Sequence, residues 1–354
     1  MRQSHADFLV VGSTPLARLL AGLLASPHGK TVALIAQSPL GYCLQHGMDL
    51  SVGALTRPES WALLAQAVPE TGKLITRVGT RAAIARLDPI LFADAETGKQ
   101  ALGHIRHMAA AHGLAAERTP ANYLGKLREG VVLRDAMMLR RTVLEPALDN
   151  WLAEIGVRRL GPEASVQIEA DGRAQCQLLD EAIAIGQTIL ADDSAILAHL
   201  AAPAWPALLH QQMASAILTQ PVKPMAAPVM YQLDGGIMLH QQSEGGILAY
   251  GPGTGDQMAV ALAPLLDKPG AFEQAGQSSA MRVITRDGAP AVGRVGGTGP
   301  DVLAGFGTLG AFLAPAIARW LCGVASATEN AWFGARLVDR SPENGSVGDI
   351  GDRR

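Results

Sequence analysis

The sequence predicts an α/β fold in which a doubly wound sheet of the nucleotide-binding kind is interleaved with a second domain built on an antiparallel sheet. Three observations carry this. Residues 8–35 read as strand, helix and strand with short connections, and three short apolar runs beyond Pro203 read as a meander. Near the C-terminus a charge-free run, Val302 to Ala318, opens on three glycines and continues as an Ala-rich helix.

The elements follow in order. Phe8 to Val11 is a short buried strand, Gly12-Ser13-Thr14-Pro15 a turn, and Leu16 to Ala25 a helix ended by Ser26-Pro27-His28-Gly29. Thr14 is a suitable N-cap and Pro15 a suitable first helical residue, since proline has no amide to leave unpaired. Lys30 to Ile35 is the second strand. Arg57 to His112 reads as mostly helical and irregular, with one helix starting at Pro58 and another over Gly98 to Ala110. Gly130 to Leu133 is strand-like, and Arg140 to Ile155 is an amphipathic helix with Val143, Leu144, Leu148, Leu152 and Ile155 at helical spacing. Asp171-Gly172 suits a tight turn, which makes Ser165 to Ala170 and Arg173 to Leu178 a hairpin. Gln187 to Ala191 returns as a buried strand. Val229 to Leu233, Ile237 to His240 and Gly246 to Tyr250 form the meander, a helix surrounds Met258 to Leu266, and the chain re-enters the first domain at Met281. The polar, Gly-rich tail after Asp339 is expected to be disordered.

At 354 residues the chain is long enough for two lobes, and 48% hydrophobic with 17% charged residues describes a globular protein with a large core. A net charge of -3 with dispersed basic residues offers neither nucleic acid nor an anionic membrane an electrostatic footprint. Cys43, Cys176 and Cys322 match no metal or redox spacing, and Asp7 interrupts any signal-peptide core, so a reduced, cytoplasmic setting is expected. The run 302–318 is too short for a membrane span and is broken by Pro315 between Asp301 and Arg319.

The most informative stretch is Arg282-Val-Ile-Thr-Arg-Asp287-Gly288-Ala-Pro290 followed by Gly305-Phe306-Gly307-Thr308-Leu309-Gly310-Ala311 and Leu313-Ala314-Pro315-Ala316. The glycines permit a sharp strand-to-helix turn, and a helix N-terminus there can stabilise negative charge on a ring. Arg282 offers a planar, bidentate partner for a carboxylate. This tandem resembles the C-terminal signature of the D-amino-acid oxidase and glycine oxidase family of FAD-dependent enzymes. The resemblance implies a flavin-binding domain made of residues 1–85, 132–205 and 281–335, a substrate domain of 86–131 and 206–280, and a tail of 336–354. It also implies FAD as cofactor and a small amine or amino acid as substrate, oxidised at its C–N bond by hydride transfer. Gly305 to Ala311 would then cradle the flavin ring, Gly12, Ser13, Thr14, Pro15, Leu16 and Ala17 the pyrophosphate, Gln37 a ribose hydroxyl and Val166 the adenine, while Arg282 would hold the substrate carboxylate.

The ADP half departs from that family. Its fingerprint G-x-G-x-x-G reads Gly12, Thr14 and Ala17; the second strand ends in Ala36-Gln37 without a carboxylate; and the expected Ala-x-Gly turn is Ala191-Asp192-Asp193. Two carboxylates there repel a diphosphate unless they point away. Two readings stand: FAD bound in an adjusted way on the amides of Leu16 and Ala17, or a fold that has lost the cofactor and serves as a non-catalytic subunit or scaffold of an oxidase, or as a homo-oligomer. Tyr231 and Tyr250 read as core residues of the meander, and His240 is placed on neither face. His104, His107 and His112 share a helix but lack a completed ligand set, which favours a solvated face over a metal site. Hydrolase and NTPase motifs are absent.

Overall fold

The computed structural model describes residues 2–36, 44, 47–161, 164–179, 181–266, 272–342 and 347–348. Its first sheet is centred on the strand Arg2–Val11, which pairs in parallel with Glu181–Leu190 on one side and Val32–Ile35 on the other. Asp301–Ala304 and Arg158–Arg159 extend it in parallel, and Ala291–Arg294 closes one edge antiparallel. Alternation along the central strand explains its place. Val10 turns to one core, with Leu19, Leu20, Leu24 and Phe312, while Leu9 and Val11 turn to another, with Cys176, Ile183 and Ile196. Both faces are covered, as a parallel sheet requires.

The helix Pro15–Ala25 follows this strand, capped as expected: the Thr14 hydroxyl accepts from the Ala17 amide at 3.3 Å, and Pro15 opens the first turn. It packs on Gly310–Leu321 and Arg141–Glu154. Gly22, in its middle, lies against the Trp151 ring, and a Cβ there would come within 2.2 Å of it. The hairpin Ser165–Ile168 and Ala174–Gln177 turns at Gly172, whose φ is +80°, and adds to the N-terminal half of Glu181–Leu190.

A second sheet of eight strands runs in the order Gln274–Thr285, Leu209–Thr219, Ile247–Pro252, Ile237–Gln241, Val229–Gln232, Ile90–Ala93, Glu129–Leu133 and Ala116–Arg118. Its described pairings are antiparallel except that of Val229–Gln232 with Ile90–Ala93. The meander is therefore present, inside a larger sheet than the sequence suggested. The mostly helical reading of Arg57 to His112 holds in the helices Pro58–Gly79 and Glu96–Ala111; between them the structure adds the strands Ile84–Leu87 and Ile90–Ala93, the first paired with Ala136–Leu139. The return strand starts at Gln274, not Met281.

Residues 336–342, part of the expected tail, are packed on the fold. Arg336 is fully buried, its guanidinium 4.1 Å above the Trp332 ring and bonded to Ser60 and the Trp332 carbonyl. Arg340 grips Asp287 through two bonds of 2.7 and 2.8 Å and donates to the Ala289 carbonyl. Residues 343–346 and 349–354 of that tail lie outside the described residues. No helix among the described residues is long and apolar enough to cross a membrane.

Candidate functional site

The turn after the first strand is held shut by its own chain. Gly12 donates to the Ile35 carbonyl at 2.9 Å, and a Cβ on it would lie 2.9 Å from the Ala17 Cβ and 3.0 Å from Asp192 Oδ2, so glycine is required by packing alone. The Ser13 amide donates to Asp192 Oδ2 at 2.6 Å, and the Ser13 hydroxyl approaches the same oxygen at 3.4 Å. Asp192 Oδ1 accepts from the Ala195 amide at 2.9 Å, capping the short helix Asp193–His199. Thr14 is part exposed, Pro15 and Leu16 are buried, and the Ala17 amide is bonded to Thr14. Behind the turn the buried Arg18 donates to the Ser13 carbonyl and to Asp149.

At the other glycine turn the strand Asp301–Ala304 ends and Gly305 and Gly307 adopt φ of +71° and +54°, which non-glycine residues rarely take. Gly310 opens the helix, with Leu16 Cδ2 3.1 Å from where its Cβ would be, so this turn and the first helix touch directly. Thr308 is tied to the segment 50–52: its carbonyl accepts from the Leu50 amide at 2.9 Å and its hydroxyl donates to the Val52 carbonyl at 3.2 Å. Phe306 is buried beside Trp332, Leu309 is half-buried and Ala311 is buried in the core. Phe306 and Leu309 line a cavity of about 20 Å³ with Leu55, Leu63 and Trp332, room for roughly one water.

Arg282 stands near the end of Gln274–Thr285 and donates to the Tyr250 hydroxyl at 3.0 Å, its guanidinium 5.7 Å from the ring centre. Arg282 lies opposite Gln212 and Tyr250 opposite Ala216 on the strand between them, so the two share a face of the sheet and their long side chains span the four-residue offset. Tyr250 also faces Met238, which faces Tyr231, so the two tyrosines share a cross-strand row. Tyr250 is thus half-buried, in keeping with a core role, and in addition bonded through its hydroxyl to Arg282. Burial raises its hydroxyl above the usual range, opposed by Arg282. Asp193 joins this group. Loss of water contact pushes its carboxyl up to about 6, opposed by the charge of Arg282 and by the Val283 amide. His240 bonds Gln242 instead.

Gln37, expected at the ribose, lies outside the described residues, as does Cys43. Val166 pairs with Cys176 inside the hairpin and packs on the second core. His104 bonds the Thr56 carbonyl and His107 the neighbouring Arg106; among the described residues no cluster of His, Cys, Asp or Glu is set to hold a metal.

For FAD, the residues at the diphosphate position do not fit. Of the two amides expected to receive a phosphate oxygen, Leu16 and Ala17, the second is spent on Thr14, and the Ser13 amide of the same turn already holds a carboxylate oxygen. A diphosphate would face the Asp192 charge across a few ångströms. The sequence raised this question at Asp192 and Asp193. Their directions depend on a helix cap that only the fold sets.

Neither a family model nor a curated protein matches the chain. Solved structures do. Glycine oxidase from Geobacillus kaustophilus superimposes with a TM-score of 0.71 at 17% identity, covering 96% of this chain and 99% of its own. L-proline dehydrogenase from P. horikoshii gives 0.74 at 15%, covering 96% and 98%, and NikD, an unusual amino acid oxidase essential for nikkomycin biosynthesis, gives 0.70 at 14%, covering 93% and 97%. The two interleaved sheets are thus arranged as in these three solved structures, and this chain has the D-amino-acid oxidase-like fold that they share.

Proposed function

We propose that this chain works without FAD, as a non-catalytic subunit that supports or scaffolds an amine or amino-acid oxidoreductase. One observation carries the reading: the 2.6 Å contact from the Ser13 amide to Asp192, which holds an anion against the turn expected to carry the cofactor's diphosphate. Departures at Thr14 and Ala36 point the same way, because they remove the close-approach glycine and the ribose carboxylate. The test is the visible spectrum of purified protein, before and after excess FAD and desalting. No flavin band under either condition, with a native circular dichroism spectrum, is expected; a retained band overturns the reading.

A second reading is favoured by the Arg282–Tyr250 pair, which offers a carboxylate two donors at the junction of the sheets. It is the FAD-dependent oxidation of a small amino acid or amine at its C–N bond. Under it Arg282→Ala lowers kcat/KM for carboxylate-bearing substrates by about 100-fold or more. Unchanged turnover of every such substrate removes it.

A further inference from the structure

Asp192 and Asp193 leave the strand Glu181–Leu190 together and diverge, one toward the turn 12–17 and the other toward Arg282. The Asp192 carboxylate does two jobs: Oδ1 caps its own helix through Ala195, and Oδ2 binds Ser13 through the amide and, at greater length, the hydroxyl. An anion held at the N-terminal end of an eleven-residue helix, with the buried cation of Arg18 fixed behind the same turn, is the chemistry a nucleotide diphosphate would use there.

We infer that Asp192 is a built-in anion that takes the diphosphate's place, and that this one carboxylate, rather than the missing glycine at Thr14, closes the nucleotide site. The inference rests on the cofactor-free reading and makes it specific. Its Oδ2 reaches within 3.0 Å of the position of a Gly12 Cβ, so it occupies the space over the turn as well as the charge. Thr14, by contrast, spends its hydroxyl inward on the helix it caps. With the carboxylate removed, the Ser13 amide is freed to donate to a phosphate, while Arg18 stays paired with Asp149 behind the turn.

The experiment titrates ADP into full-length wild type, Asp192→Ser and Thr14→Gly, by calorimetry. Serine keeps an N-cap oxygen for Ala195 while removing the carboxylate; Asp192→Asn, which keeps the acceptor but not the charge, takes its place if the serine variant does not fold. ADP is expected to bind the Asp192 variant at least about tenfold more tightly than wild type, with Thr14→Gly unchanged. A folded Asp192 variant with wild-type ADP affinity overturns the inference, and so does a gain that appears in Thr14→Gly instead. The parent reading fails separately: wild type that retains FAD removes it, whereas FAD-free wild type with no gain in the Asp192 variant removes only the inference.

Discussion

Asp193 is held at a carboxyl pKa near 6 because burial penalises its charged form more than Arg282 and the Val283 amide favour it. The buried Asp301, bonded by Gln187 at 3.0 Å, is pushed up to about 6 for the same reason. Both folded values lie above the unfolded one. Their contribution to stability is therefore full below about pH 4 and is lost as pH rises through 6. Asp193→Asn keeps an acceptor for Val283 and should raise stability at pH 7 by on the order of 2 kcal/mol, with little gain at pH 4. Urea midpoints at the two pH values check this; an equal shift at both would show that the charge is not the cause. Arg282 was legible from its motif, because a local pattern names it. Tyr250 was not, since its partner comes from a strand two places away in the sheet and 32 residues on in the chain.

Among the elements, the first helix shows how packing overrides propensity. A glycine inside a helix costs about 1 kcal/mol relative to alanine, yet Gly22 is needed because the Trp151 ring fills the space of its Cβ. Gly22→Ala should destabilise by roughly 1–3 kcal/mol despite the better propensity. Trp151→Leu should recover part of that loss, so that in urea denaturation the double variant loses less than the sum of the singles. Helices and the first βαβ unit were readable because their apolar periodicity is local. Leu209–Thr219 and Gln274–Thr285 were not, since Gln, Ser and Ala make up about half of each. Each becomes a strand by pairing with the other along its length, at a sequence separation that no short window spans.

On the scale of the whole molecule, the chain crosses between its two sheets several times, and Gln274–Thr285 runs along the second while its end touches Asp193–His199 beside the first. Such interleaving makes separate melting of the lobes costly, so calorimetry should show one unfolding transition; two resolved transitions would contradict it. The interleaved order was visible in the sequence at the level of layout, through the order of strand-like and helical runs. What the site can hold was not, because it turns on the direction of two adjacent carboxylates. That direction has a cellular consequence. Flavoenzymes gain stability from their cofactor that grows with the logarithm of its supply, while a carboxylate carried on the same chain is always at high effective concentration. Under the proposed cofactor-free reading, with Asp192 bonded to Ser13, the stability of the fold is independent of the flavin supply.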